Sequence, residues 1–185
     1  MATPYVRLLG AVRFVNPQGD VLDLPSAAQR RLLASLAVAN GATQRSEYLC
    51  DALDLTTGSL RTTVSRVRSR LGNGVIVTDS AGYRITCAVD ATLFTDLLVE
   101  RADQPDRLTA LDEALGLWQG EALDEFRHEP WAAPEVARLD ELRALAVEDR
   151  AELLIARRRE EEAVAALEPH VAANPLRDRP RGLLI

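Results

Sequence analysis

"RTTVSRVRSRLG", residues 61–72, sets four arginines and no acid in twelve residues of a chain whose formal net charge is -6. At 100° per residue, Leu60, Val64, Val67 and Leu71 fall within one stripe of about 60°. The opposite face carries Thr62, Ser65, Arg66 and Ser69, with Arg61 and Arg68 along one edge and Arg70 near the other. A helix that buries its apolar stripe and shows small polar groups edged by guanidinium suits the DNA major groove. On this reading Thr62, Ser65 and Ser69 admit a close approach, and Arg66 reaches a guanine edge with two hydrogen bonds. Arg61, Arg68 and Arg70 are then placed for phosphates. A solvated, arginine-rich surface helix accounts for the twelve residues equally well, so their neighbours have to decide.

Downstream, "GVIVTDSAGYRIT" reads as two β-rich runs, Val75 to Thr78 and Tyr83 to Thr86, joined around Asp79 to Gly82. Upstream, "YVRLLG", "AVRFV" and "VLDL" read as strands of a small antiparallel sheet, with a turn at Asn16 to Asp20. Ser26 and Gln29 form the pattern of a capping box. Leu32, Leu33, Leu36 and Val38 then carry a helix to an αL stop at Asn40-Gly41. Ser46 is expected to cap a second helix, "EYLCDAL", with Leu49, Ala52 and Leu53 on one side, ended by "DLTTGS".

Sheet, three helices and a hairpin, in that order, are the parts of a winged helix-turn-helix. The stretch is similar to the OmpR-type effector domain, and "TVSRVRSRLG" and "GYRI" carry the resemblance. It implies a left-handed Gly82 at the wing, Tyr83 packed beneath it, and Arg84 meeting the duplex backbone. The wing has Asp79 where that family usually has a basic residue, which turns the wrong sign toward phosphate. The "DLTTGS" link is short, and in that family this loop is a surface offered to RNA polymerase.

Beyond Asp90 strand signals vanish, and alanine, leucine, arginine and glutamate point to an all-helical half. Asp90 is expected to cap "ATLFTDLLVERA", with Leu93, Phe94, Leu97 and Leu98 inward. After "DQPD", the helix "RLTALDEALGLW" repeats Leu108, Leu111, Leu115 and Trp118, and the two should pair as an antiparallel hairpin. "QGEALDEFRHEPWAAP" reads as a connection. A long helix follows through Leu139, Leu142, Leu145 and Ala146 to Leu153 and Leu154, then "EEEAVAALEPHVAA", then a last helix opened by Pro175. Such pairs resemble tetratricopeptide units without a strict 34-residue identity.

"ALGLWQG", "EPWAAPEVARLDELR", "ALAVEDRAELLIA" and "NPLRDRPRG" resemble, in spacing, the bacterial transcriptional activation domain found behind a winged helix in SARP-type and AfsR-type regulators. The resemblance implies an OmpR-type DNA-binding domain at 1–89 and a helical activation domain at 90–185. It also implies a sequence-specific activator, with double-stranded DNA as its partner and RNA polymerase and a second copy on repeated sites as further ones. Helical pairs in such relatives continue past "NPLRDRPRG", so the last repeat reads as incomplete. Leu183, Leu184 and Ile185 are expected to fray or find a partner. Pro180 would cost about 3 kcal/mol if interior to a helix.

Charge divides the chain in the same way. Residues 1–90 hold 10 Arg against 7 acids, net +3, while 91–185 hold 12 Arg against 21 acids, net -9. The first half tolerates a polyanion and the second repels one. Lysine is absent, which removes any Walker A loop, Schiff base or catalytic lysine; no G-x-G-x-x-G or G-x-S-x-G occurs either. Cys50 and Cys87 match no metal or redox spacing, and His128 and His170 have no second ligand nearby in sequence, so no catalytic residue, metal or cofactor is assigned. Trp118 and Trp131 read as packing anchors, and Arg157 to Glu162 as a solvated, charge-balanced turn. With no signal peptide and no apolar run near the length of a membrane span, the expectation is a reduced, cytoplasmic protein with no membrane partner. A protein-protein adaptor without DNA binding is the alternative class, and an enzyme the weakest.

Overall fold

Asn16 closes the first hairpin through its own side chain, which accepts from the backbone N–H of Gln18 at 3.0 Å and of Asp20 at 2.8 Å. This turn joins strands β2 (Arg13–Val15) and β3 (Val21–Leu22), and β1 (Tyr5–Arg7) pairs antiparallel with the other side of β2. The computed structural model describes residues 3–100 and 106–184. A fourth strand, β7 (Ala88–Val89), pairs parallel with β1 and completes the order β3-β2-β1-β7. Two residues are too short to give a sequence period, so this strand escapes sequence reading.

Helix α1 (Ala27–Val38) buries Leu32, Leu33 and Leu36, and ends where Asn40 and Gly41 take positive φ, as the sequence indicates. Its start differs from expectation. Ser26 makes no side-chain capping bond, so the capping box does not form. Strand β4 (Gln44–Arg45) follows, then α2 (Ser46–Leu53), in which Ser46 is the first helical residue and not its cap. Helix α3 (Thr57–Leu71) begins earlier than its apolar spacing suggests, because Thr56 caps it, its hydroxyl accepting from Ser59 N–H at 3.2 Å. Strands β5 (Ile76–Thr78) and β6 (Gly82–Ile85) form the wing, with β6 between β5 and β4. These parts make a winged helix-turn-helix.

The described residues form two compact units, Met1–Leu93 with Trp118–Ala137, and Phe94–Leu117 with Arg138–Ile185. The stretch from Trp118 to Ala137 thus groups with the winged helix in the first unit. Leu8 and Leu9 continue β1 without a strand partner. Their carbonyls accept from Leu123 N–H at 2.7 Å and Gln119 N–H at 2.8 Å. Arg30 and Arg31 of α1 bond Glu125 at 2.7 Å and Glu129 at 2.5 Å, beside buried Phe126. Unpaired backbone in a buried place finds partners wherever they are available.

Helix α4 (Asp90–Glu100) starts in the first unit and ends in the second. Phe94 is buried, but Leu93, expected inward, is 50% exposed. Of "DQPD", only Asp106 lies within the described residues. Helix α5 (Arg107–Gly116) stops before Trp118, which is buried in the first unit. Arg107 ties its start to the carbonyl of Leu98 at 2.7 Å.

In the second unit Leu108 of α5 meets Ala151 and Leu154 of α6 (Ala133–Ala156), Ala163 and Leu167 of α7 (Glu160–Ala173), and Leu183 of α8 (Asp178–Leu183). Leu145, expected inward, is 37% exposed, and Glu148 takes a core position at 1% exposure. Burial pushes the Glu148 carboxyl upward. Arg177 Nε at 2.6 Å, His170 at 3.3 Å and Arg179 at 3.4 Å outweigh this and hold it below the usual range. Pro175 lies in the turn before α8 and does not open it. Pro180 is in the first turn, where a missing N–H costs nothing, so the interior penalty does not arise. Ile185 lies outside the described residues. No described helix is long and apolar enough to cross a membrane.

Candidate nucleic-acid interface

Helix α3 is divided as its periodicity requires. Leu60, Val64 and Val67 are buried, while Arg61, Thr62, Ser65, Arg66, Ser69 and Arg70 are exposed. Exposure of six polar side chains over three turns leaves one continuous face for a partner. Thr62 and Ser69 donate their hydroxyls to the carbonyls of Gly58 and Ser65, each at 3.0 Å, so they lie close to the helix and keep its surface low. Arg61 and Arg66 make no hydrogen bond or ion pair within the described residues, and their guanidiniums are available to a ligand.

Arg68 and Arg70 are placed differently. Arg68 is half-buried; its Nε donates to the carbonyl of Ile76 at 2.9 Å and a terminal nitrogen to Thr78 Oγ1 at 2.8 Å. The guanidinium is a strut between α3 and the wing. Arg70 Nε donates to the carbonyl of Asp23 at 3.1 Å, and its two terminal nitrogens make no bond among the described residues. Sequence spacing assigns both to an edge of the helix but gives no sign of these tertiary acceptors.

The wing is braced at its tip as well. Asp79 accepts from Thr43 Oγ1, from Ala81 N–H at 2.8 Å and from Gly82 N–H at 3.1 Å. The Thr43 hydroxyl first, then the backbone donors, hold this carboxyl below its usual range. Gly82 does not adopt the positive φ expected of it. It is required for a different reason, since a Cβ there would lie 2.0 Å from the carbonyl oxygen of Gln44 on β4. Tyr83 is buried beneath the wing, as its place in "GYRI" suggests, and pairs with Gln44 across the sheet. Arg84 is half-buried on β6 opposite Val77.

Other chemistries find little support in these side chains. No group of three or more His, Cys, Asp or Glu among the described residues could hold a metal ion. Burial pushes the Cys87 thiol up to about 11, the wrong direction for a nucleophile. His170 is buried against Glu148 and Asn174 as part of the helical packing.

Comparison with known proteins yields a family match over the second half of the chain. A family described as the bacterial transcriptional activator domain matches residues 89–185. The regulatory protein AfsR of Streptomyces griseus is 35% identical over 193 residues, covering 96% of this chain and 20% of that protein. AfsR of Streptomyces coelicolor is 32% identical over 194 residues, covering 96% of this chain and 19% of that protein. The chain thus spans about a fifth of these relatives. Among solved structures, Mycobacterium tuberculosis EmbR, in complex with a low affinity phosphopeptide, superposes with a TM-score of 0.83 at 24% identity. That match covers all of this chain and 54% of EmbR, and shows the same fold.

Proposed function

This chain belongs to the bacterial transcriptional activator domain family, and on that premise we propose that it is a sequence-specific, duplex-binding transcriptional activator. The observation that carries the reading is the exposed face of α3, where unpaired Arg61 and Arg66 flank Thr62, Ser65 and Ser69. Small hydroxyl residues let the helix enter a groove about 12 Å wide, and Arg66 supplies the bidentate donor that guanine accepts. Arg61 and Arg70 meet phosphates; Arg68 acts through the wing it holds, and Arg84 lies on the wing strand nearest the backbone. In functional terms residues 1–89 carry the duplex contact. Residues 90–185 carry contacts to RNA polymerase or to a second copy on a repeated site.

Selection of bound duplexes from a random pool tests the proposal. A common sequence is expected, with an affinity that falls with salt at a slope of about -0.9 per phosphate neutralised. An adaptor that uses the same fold only for protein contacts would enrich no duplex, and that result would overturn the reading.

A further inference from the structure

Two Asn-Gly pairs occur in the chain, Asn40-Gly41 and Asn73-Gly74, and each lies at the centre of a β-turn. Ala42 N–H donates to the carbonyl of Ala39 at 2.9 Å across the first, and Val75 N–H to the carbonyl of Gly72 at 3.2 Å across the second. Asparagine before glycine is thermolabile, because glycine has no Cβ to shield its nitrogen from the side-chain amide beside it. Any difference in reactivity between two such pairs has to come from their surroundings.

Asn40 is held. Thr92 donates its hydroxyl to Asn40 Oδ1 at 2.8 Å, and Asn40 and Gly41 take φ of 46° and 81° in the left-handed stop of α1. Asn40 N–H also donates to the carbonyl of Ala37 at 2.9 Å. Asn73 has none of these restraints. Residues 72–74 are exposed, and neither the Asn73 side chain nor Gly74 N–H makes a hydrogen bond among the described residues. Gly72 and Gly74 flank it, and a Cβ added to either meets nothing within 4 Å. The side chain and the nitrogen beside it are thus both free to turn toward one another.

We propose that Asn73 is a site of spontaneous deamidation, and that Thr92 protects Asn40 from the same reaction. The Gly74 nitrogen gives its proton to hydroxide and attacks Asn73 Cγ. The new C–N bond closes a succinimide ring as the side-chain nitrogen takes a proton from water and leaves as ammonia. Water then opens the ring at either carbonyl, giving aspartate or isoaspartate, with no change of oxidation state. Isoaspartate carries the main chain through the former side chain and lengthens it by one carbon between Arg68 and Ile76, the two ends of the strut. The carbonyls of Gly74 and Val75, which accept from the Thr86 hydroxyl and from Thr86 N–H at 3.1 Å, are then displaced from β6. Conversion to isoaspartate loosens the wing from α3.

The wild-type chain is aged in mildly alkaline buffer, and each asparagine is followed by peptide mapping with mass detection. With one hydrogen bond to break at Asn40 and none at Asn73, Asn73 is expected to convert about tenfold faster. Thr92→Val keeps the side-chain shape but removes the donor, and should raise the Asn40 rate about two- to tenfold. Gly74→Ala should slow conversion at Asn73; the added Cβ meets nothing within 4 Å and the residue is not left-handed, so the variant should melt as wild type does. Amide exchange in Ile76–Thr78 should be faster in the isoaspartate fraction than in Asn73→Asp, which has the same charge on an ordinary main chain. Equal rates at the two asparagines, or an Asn73 rate that Gly74→Ala leaves unchanged, would overturn the modification site. An Asn40 rate unchanged in Thr92→Val would remove Thr92 as the protecting group, and equal exchange in the isoaspartate fraction and Asn73→Asp would overturn the effect on the wing.

Discussion

Arg68 of α3 donates through Nε to the main-chain carbonyl of Ile76 on the wing at 2.9 Å, so the helix and the wing share one side chain. Its second bond, to Thr78, fixes the guanidinium plane. The distance between helix and wing is thus set within the protein itself.

Replacement of Arg68 by alanine is expected to cost about 1 kcal/mol of stability through the lost bonds. Duplex affinity should fall while the salt slope stays within a few tenths of wild type, because a strut neutralises no phosphate. Arg61→Ala should do the reverse, with unchanged melting and a slope about 0.9 shallower. Binding isotherms at four or more salt concentrations separate the two, and a full unit of slope lost in Arg68→Ala would return it to the phosphate contacts.

Gly82→Ala is expected to destabilise the wing by about 3 kcal/mol or more. The added methyl would sit 2.0 Å from the Gln44 carbonyl, backbone against backbone, with no side chain able to yield. A thermal melt of the variant measures it. Unchanged stability would mean that β4 and β6 separate at little cost.

Asp90 sets a pH dependence. Its carboxylate accepts from Leu8 N–H at 2.7 Å and Leu9 N–H at 3.1 Å, and burial, opposed by these donors, pushes the group up from 3.8 to about 6. Between those values the folded chain holds this proton more tightly than the unfolded chain. The resulting stability is complete below about 3.8 and is lost as pH rises through about 6. Asp90→Ala should cost about 2 kcal/mol at neutral pH by stranding two buried donors. The gap from wild type should widen as pH falls from 7 to 5, which denaturant melts at each pH would reveal.

Glu148 has the opposite sign. Its pairs with Arg177 and Arg179 hold it in the charged form, so its contribution is present above the ordinary carboxylate pKa and lost as acid is added. Glu148→Ala removes the buried acceptor of Arg177 and Arg179, which keep Glu141, Asp149 and Glu152 as partners, and should cost about 1 to 3 kcal/mol. Amide exchange in Asp178–Leu183 should accelerate before that in Leu108 or Leu154, since the pairs join α8 to α6.

Much of the winged helix was legible because its parts have strong local causes. The Asn16 turn, the Asn40-Gly41 stop and the stripe of Leu60, Val64 and Val67 are each written within a few residues. What escaped depends on distant partners. Gly82 is constrained by Gln44, 38 residues before it, and Arg68 by Ile76, eight residues after it but on a different element, so the period within a helix shows neither contact. Glu148 was missed for the converse reason. A charged residue at a core position breaks the apolar period, and only Arg177 and Arg179, far along the chain, make its burial tolerable. The polar side of α3 was legible as an exposed face of six residues, while the tertiary acceptors of Arg68 and Arg70 were not.

Strand β7 brings Ala88 beside Tyr5 and Val89 beside Val6. Entry and exit of the winged helix thus lie on neighbouring, parallel strands, stitched across a seam two residues long. Tension between the entering and leaving ends would load the seam in shear before it reached α3.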